Sequence, residues 1–348
     1  MPDIRWYTAA ADMSFELSIL RWTLDSKALK RMDVFLTGGT GFVGGHVLRE
    51  LLRKGHAVRR LVRDPAGGAA GGTEAGGMQA GGTEAGVQDV QGDITQPTTL
   101  KGKLDGCDAV IHLVGIVEEK PSKGVTFDTV HFEGARAVVD EAVAAGVKQF
   151  ILMSANGARP DGVSGYQTSK WKAEEHLKNA SLDRWTIFRP SVIFGDPGRD
   201  NPEFASQLAR QLIRPFPVLP VFGDGSFQMQ PVSVEEVAAA FVQALTLEAA
   251  RGKTYCVAGK ERLAYVDVLD RITAAVGHAP KRKISQPIWL MRPIVRTAGK
   301  VGLLPITPDQ FEMLIEGNTC DSSAFYRDFD VTYKPFTPDN LRYLGVRS

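Results

Sequence analysis

Short apolar runs alternate with amphipathic stretches from about residue 32 onwards. The run Val34 to Thr37 predicts a strand, and the apolar positions after the next glycines recur at helical spacing. Those positions are Val43, Val47, Leu48, Leu51 and Leu52. Lys54-Gly55 is typical of a helix end, and Ala57 to Val62 predicts a second strand. Together they predict a β-α-β unit, which implies parallel strands with a right-handed crossover.

The same alternation continues to about Gly195. Further strands are predicted over Val87 to Gly92, Ala109 to Val114, Gln149 to Ser154 and Trp185 to Phe188, and helices over Phe127 to Ala145 and Tyr166 to Lys178. This regularity predicts an α/β fold, a Rossmann-type doubly wound parallel sheet over 32–195. The pattern loosens over 196–348, where we expect a smaller mixed C-terminal substrate or partner region, with 232–258 returning to the nucleotide-binding domain.

Two segments interrupt the pattern. Residues 66–86 are rich in glycine and repeat AGGTEAG at 70–76 and 80–86, so we expect a flexible loop that buries no apolar surface. Residues 1–31 lack the apolar core of a signal peptide, since Asp3, Glu16 and Asp25 interrupt it. We expect a disordered extension there, with Met32 as a possible start of the native protein.

A glycine-rich turn joins the first strand to the first helix. It contains Gly38, Gly39, Gly41 and Gly44, in the strand-turn-helix context that a dinucleotide-binding turn requires. The glycines permit a tight turn and the close approach of a pyrophosphate, and the helix N-terminus attracts its negative charge. Thr40, Phe42 and Val43 complete the predicted contact. The alternative is a glycine turn without a ligand.

The end of the second strand bears on the choice of dinucleotide. NAD-specific proteins usually carry an acidic residue there to bind the ribose 2′-hydroxyl. This chain has Val62 followed by Arg63, and a guanidinium suits a 2′-phosphate. The residues therefore favour NADP(H) over NAD(H). A solvated surface arginine is the alternative interpretation.

Tyr166 and Lys170 are four residues apart on a predicted helix and so share one face. An ammonium beside a phenol favours the phenolate, so we expect Lys170 to lower the pKa of Tyr166 and make it a general acid or base. Ser154 ends the preceding strand and could bind the same substrate oxygen. A strand-end hydroxyl that bonds backbone is the alternative for Ser154.

Composition narrows the classes of function. The chain has 348 residues, with 41 Lys plus Arg against 40 Asp plus Glu, which gives no general attraction to nucleic acid. The three cysteines match no metal-binding or disulfide pattern, so no metal is expected and the cytoplasm fits best. No apolar stretch is long enough to span a membrane.

One local segment departs from this balance. Lys281 to Lys283 are consecutive cations, and the apolar stretch Ile288 to Val295 follows them. A protein partner or peripheral association with the inner face of the membrane is one interpretation, and a helix packed on the core beside solvated charges is the other.

These motifs resemble the extended and atypical short-chain dehydrogenase/reductases. The resemblance is carried by TGGTGFVG, by GDI at 92–94, by Tyr166 with Lys170 and by RPSVIFG at 189–195. MSANGARP, KWKAEEHL and PITPDQFEMLIEGN resemble the branch that includes the NADPH-binding accessory subunit of respiratory complex I and its bacterial relatives.

The resemblance implies roles for further residues. Asp93 and Ile94 would flank the adenine, and Lys170 would also bind the nicotinamide ribose. Leu113, Val114 and Gly115 would line the middle of the cofactor, and Pro190 and Val192 would lie near the nicotinamide.

Departures from the family pattern are also informative. His131 stands where many relatives have asparagine, either as a substitute or as a structural residue. The stretch 227–231 lacks the arginine with which nucleotide-sugar epimerases typically bind a diphosphate.

Two functions follow from these observations. One is an oxidoreductase, epimerase or dehydratase that acts on a carbonyl or secondary alcohol. The other is a non-catalytic NADPH-binding accessory, assembly or sensor protein.

Overall fold

A computed structural model describes residues 31–64, 85–198, 201–299, 304 and 306–345 of the chain. The predicted extension over 1–31 and the predicted loop over 66–86 lie outside the described residues, apart from their last positions. The described part from Asp33 onwards belongs to one compact unit.

Seven parallel strands form the central sheet, in the order β11-β6-β5-β4-β1-β2-β3. The strands are β1 (Asp33–Thr37), β2 (Ala57–Val62), β3 (Val87–Gln91), β4 (Ala109–His112), β5 (Gln149–Met153), β6 (Arg184–Pro190) and β11 (Lys253–Val257). The middle strands are mostly apolar and almost fully buried because both faces of the sheet are covered. Chain order reverses between β1 and β4, and ligands of such sheets bind beside that point, at the carboxyl ends of the strands.

Four of the longer helices connect these strands, namely α1 (Phe42–Arg53), α2 (Gly134–Ala144), α3 (Gly165–Asn179) and α5 (Val234–Gln243), and a fifth, α6 (Tyr265–Ala275), follows the sheet. Helices α2 and α3 cover one apolar cluster that includes Phe35, Val110 and Phe150 from the sheet. Helix α1 packs against α5. The predicted Rossmann-type α/β fold is therefore confirmed.

The helix predicted over 127–145 has two parts. A π-helical turn over Asp128–Glu133 precedes α2. A π turn holds one residue more than an α turn, so it changes which side chains face inward. Here the adjacent residues Val130 and His131 are both buried.

Shorter elements build the part that follows β6. They are the strands β7 (Ile193–Phe194), β8 (Leu219–Phe222), β9 (Gln228–Met229), β10 (Val232–Ser233), β12 (Leu263–Ala264) and β13 (Lys283–Gln286), and the helices α4 (Phe204–Leu208), α7 (Ile288–Ile294), α8 (Pro308–Glu316) and α9 (Ser323–Asp328). A π-helical turn, Ala209–Ile213, follows α4. A second apolar cluster, with Phe194, Leu219, Leu269 and Phe336, holds much of this part together.

Helix α1 begins very close to the turn that precedes it. A β-carbon on Gly44 would lie 1.9 Å from the Gly38 carbonyl oxygen, far inside van der Waals contact. One on the adjacent Gly45 would meet only the end of the Arg49 side chain, at 3.8 Å. The two neighbouring glycines therefore face very different constraints.

We expect Gly44→Ala to lower the free energy of unfolding by about 1–3 kcal/mol, because the helix must move away from the turn. Gly45→Ala is the matched control and should stabilise the protein by about 0.5–1 kcal/mol, as alanine does in an open helix position. Urea unfolding of both variants measures the difference. Equal stability of the two variants would contradict the close approach.

Candidate functional site

The glycine turn lies at the carboxyl end of β1 and opens α1. Gly38 has φ +73°, and a β-carbon there would lie 3.1 Å from the backbone at Leu113 and Val114. The N–H of Gly41 donates to the Gly38 carbonyl oxygen at 3.0 Å. The turn is therefore tight, and it packs directly on the chain that leaves β4.

The N-terminus of α1 is open to a ligand. Gly41 is its N-cap and supplies no side-chain hydrogen bond, so the first N–H groups, including those of Phe42 and Val43, keep their capacity to donate. Thr40 is exposed beside them. Because the points of closest approach are glycines, which have no side chain, the turn leaves room for a pyrophosphate beside the backbone N–H groups.

The ends of β2 and β3 lie on one side of this turn. Arg63 is exposed directly after β2, and no partner of its guanidinium is recorded among the described residues. Asp93, after β3, accepts hydrogen bonds from the Thr95 N–H and hydroxyl at 2.9 and 2.8 Å, both on its Oδ1 atom. Ile94 is buried against Gly134, where a β-carbon would lie 2.6 Å from its Cδ1.

A second arginine lies closer to the glycines. The stem of Arg60 touches Gly39, where a β-carbon would lie 2.9 Å from Arg60 Cδ. Its guanidinium makes two hydrogen bonds to the Asp89 carboxylate, at 2.7 and 2.8 Å. The Arg60 charge is thus already paired, whereas that of Arg63 faces solvent.

Lys170 lies on the other side, where α3 meets the ends of β4 and β5. It is buried, and its ammonium donates to the carbonyl oxygens of Met153 at 3.1 Å and Val114 at 3.5 Å. A β-carbon on Gly115 would lie 3.2 Å from Lys170 Nζ. Burial lowers the pKa of Lys170 to about 8, against the opposing effect of the Glu174 charge.

Tyr166 is half-buried one helical turn before Lys170. Its ring makes edge contacts with Phe127 and His131, with centroids 5.7 and 5.1 Å apart. Burial raises the pKa of Tyr166 to about 12, so the expected lowering by Lys170 is wrong in direction. The physical reason is that the ammonium donates to two backbone carbonyls while apolar neighbours surround the phenol.

His131 joins the loop after β4 to helix α3. Its Nε2 lies 3.0 Å from the Ile116 nitrogen, and its Nδ1 lies 3.0 Å from Ser169 Oγ, whose hydroxyl donates to the Tyr166 carbonyl oxygen. A neutral ring protonated on Nδ1 satisfies all three bonds at once. Burial, and then the Lys170 charge, lower the pKa of His131 to about 2. The structure therefore favours the structural interpretation of this residue.

Ser154 takes part in a buried network that the sequence did not reveal. Its hydroxyl donates to the Glu174 carboxylate, which is fully buried. Arg189 binds the same carboxylate through Nε at 2.8 Å and Nη2 at 2.6 Å. The available signal was spacing, since Glu174 follows Lys170 by four residues on the same helix.

Two further polar residues lie near these contacts. The buried His112 places its Nδ1 2.9 Å from Thr37 Oγ1, while its Nε2 has no partner among the described residues. Burial lowers the pKa of His112 to about 3. Ser164 caps α3, and its hydroxyl oxygen accepts from the Gln167 N–H.

The nicotinamide side of the predicted site lies at the end of β6. The Pro190 carbonyl oxygen accepts from the Asn156 N–H at 2.9 Å, and the Val192 carbonyl oxygen accepts from the Val232 N–H at 3.0 Å. The Asn156 side chain donates to Asn318 Oδ1 at 2.9 Å, so the segment after α8 reaches the site. Sequence reasoning missed this contact, for which no local signal exists.

The Glu174 network gives a test of how firmly α3 is held. Glu174→Gln leaves Arg189 without its carboxylate and should lower the free energy of unfolding by about 3 kcal/mol. Glu175→Gln changes the adjacent, exposed carboxylate that binds Lys178, and should cost no more than about 0.5 kcal/mol. Chemical denaturation of both variants measures the contrast. A small loss at Glu174 would show that the network does not stabilise the fold.

Comparisons with known proteins agree with this geometry. A family model described as NAD(P)H-binding matches residues 38–248. The chain is 34% identical over 210 residues to the ceramide reductase of Caulobacter vibrioides, across 60% of this chain and 59% of that protein. It thus spans less than two thirds of that relative. It is 22% identical to the NADH-ubiquinone oxidoreductase 40 kDa subunit of Neurospora crassa, across 89% of this chain and 78% of that protein.

Solved structures share the fold. The UDP-glucuronic acid 4-epimerase from Bacillus cereus, solved with UDP-glucuronic acid and NAD, superposes with a TM-score of 0.66. It is 19% identical, and the match covers 91% of this chain and 99% of that one. Among the described residues, no helix is long and apolar enough to cross a membrane.

Proposed function

The chain belongs to the NAD(P)H-binding family within the extended short-chain dehydrogenase/reductases, and from that premise we propose that it is an NADP(H)-dependent reductase of a carbonyl group. The observation that carries the proposal is the placement of Tyr166. The Tyr166 hydroxyl has no hydrogen-bond partner among the described residues. Tyr166 lies one helical turn before Lys170, whose ammonium contacts the chain at the carboxyl ends of β4 and β5.

Each part of the site has a role in this proposal. The glycine turn and the α1 N-terminus hold the pyrophosphate, and Arg63 binds the 2′-phosphate. Asp93 and Ile94 flank the adenine, while Leu113, Val114 and Gly115 line the middle of the cofactor. Lys170 holds the nicotinamide ribose, and Pro190 and Val192 lie beside the ring. The dinucleotide supplies the hydride when bound.

The protonation state of Tyr166 favours one direction of reaction. A tyrosine phenol is already protonated at neutral pH, and burial, which raises the pKa of Tyr166 to about 12, stabilises this form further. A neutral phenol can donate a proton to the oxygen of a carbonyl that is being reduced. Alcohol oxidation needs the opposite transfer, to a phenolate, which the apolar surroundings disfavour.

Ser154 enters the proposal in a different role from the catalytic one expected. A serine hydroxyl has one proton, and here it is donated to Glu174. No proton is left to polarise a substrate carbonyl, so that task belongs to Tyr166. Ser154 then acts as a positioning residue, since Glu174 lies on the helix that carries both Tyr166 and Lys170.

The hydrogen bond that occupies the Ser154 hydroxyl also supports a second function. A site without a free serine donor suits a protein that binds NADPH as an accessory or assembly factor and does not turn it over. The likeness to the 40 kDa subunit, over 89% of this chain, supports this alternative. In that case the cofactor stabilises the fold by binding the native state alone.

The preference for NADPH can be tested at Arg63. Arg63→Ala removes one charge-assisted contact, so we expect NADPH to bind about 10- to 100-fold more weakly and NADH to bind unchanged. Isothermal calorimetry with both nucleotides measures this. Arg53→Ala, at an exposed arginine on α1, is the control and should alter neither affinity. Equal binding of both nucleotides by the wild type would reject the preference.

Turnover separates the two functions. The purified protein is mixed with NADPH and a panel of aldehydes and ketones, and loss of NADPH absorbance is followed. With any compound that is reduced, Tyr166→Phe should slow turnover by about 100-fold or more while NADPH affinity is kept. Unchanged turnover in Tyr166→Phe would refute the proton-donor role. Stoichiometric NADPH binding without any turnover would favour the accessory function.

A further inference from the structure

Helix α7 presents its apolar side to solvent. Trp289 is 77% exposed, Leu290 43% and Ile294 39%. Leu290 and Ile294 are four residues apart, and Pro293 lies four residues after Trp289, so these side chains share one face. None of the residues of α7 is fully buried, so of the two interpretations of this segment a helix packed on the core fits only its end, at Val295.

The helix is nevertheless attached to the fold at both ends. Ile288 lies against Gly223, where a β-carbon would be 3.2 Å from Ile288 Cδ1. Val295 and Gly299, in the π-helical turn Val295–Gly299 that follows α7, are buried. The contacts at both ends of α7 therefore hold its exposed apolar face on the protein surface.

Basic residues flank this face along the chain. Residues 281–299 contain five basic side chains and no acidic one, although the whole chain has a net charge of only +1. Arg292 and Arg296 share the single carboxylate of Glu312, and Lys283 pairs with Asp270. Arg282 is exposed, and its guanidinium makes no ion pair or hydrogen bond within the described part of the chain. The segment therefore keeps a net positive charge.

We propose that the basic apolar surface of α7 and the turn after it, formed by Trp289, Leu290, Ile294 and Arg296, docks the protein on an anionic membrane surface, with Arg282 before β13 adding positive charge. Tryptophan and aliphatic side chains enter the region between lipid headgroups and acyl chains, and nearby cations bind the headgroup phosphates. Each basic residue near such a surface adds to the attraction. The proposed association is peripheral, because it uses a surface of the folded chain.

The same observations weigh against other occupants. Residues 281–299 expose four large apolar side chains, Ile284, Trp289, Leu290 and Ile294, which is a small apolar area beside the roughly 800 Å² per partner that a stable protein interface buries. A second copy of this chain would place the cations of both copies together. An anionic lipid surface pairs with the basic side chains of this segment. It also takes up a few apolar side chains without a surface of complementary shape.

The test is sedimentation of the full chain with lipid vesicles. One set is phosphatidylcholine alone, and the other is phosphatidylcholine mixed with phosphatidylglycerol. We expect binding to the mixed vesicles only, and binding that weakens as salt is added. Trp289→Ala should weaken it about tenfold, and Arg282→Ala about fivefold.

Matched controls keep the result interpretable. Val163→Ala changes another exposed apolar side chain, and Arg53→Ala another exposed cation, and neither should alter sedimentation. Thermal unfolding of each variant confirms that it is folded. Failure of the wild type to bind mixed vesicles, or equal binding to both sets, would overturn the proposal. So would a wild-type dimer that Trp289→Ala converts to monomer, because the surface would then bind a second copy.

Discussion

The close approach of Gly44 to the Gly38 carbonyl organises the dinucleotide site. Only a helix without a β-carbon at Gly44 can begin so near the turn, and that start leaves its first N–H groups uncapped beside the sheet. The positive φ of Gly38 brings the turn against Leu113 and Val114. The Val114 carbonyl oxygen in turn accepts a hydrogen bond from the Lys170 ammonium. The position of the glycine turn is thereby linked to helix α3, which carries Tyr166.

Helix α3 is held by polar contacts along its buried side. His131 bonds Ser169, Lys170 bonds the ends of β4 and β5, and Glu174 binds Arg189 and Ser154. Buried polar groups of this kind are stable only when nearly all are satisfied, and here each contact supports the next. The same burial raises the pKa of Tyr166 to about 12 and lowers that of Lys170 to about 8.

The two proposed functional surfaces differ in how they depend on charge. The proposed dinucleotide site has few formal charges and would rely on backbone dipoles, with Arg63 as its proposed cation. The α7 surface instead combines apolar side chains with clustered cations. A net charge of +1 conceals this cluster, because acidic residues elsewhere compensate for it. Composition therefore excludes a general affinity for anionic partners but not a local one.

The amino-acid sequence by itself determined the alternating strands and helices, the glycine turn and the shared face of Tyr166 and Lys170. These features follow from periodicities of two and 3.6 residues and from the special freedom of glycine, all of which are local. Only the tertiary structure decided that Ser154 binds Glu174, that Asn156 meets Asn318, and that α7 faces solvent. It also reversed the expected pKa shift of Tyr166, because desolvation depends on neighbours brought together from distant parts of the chain.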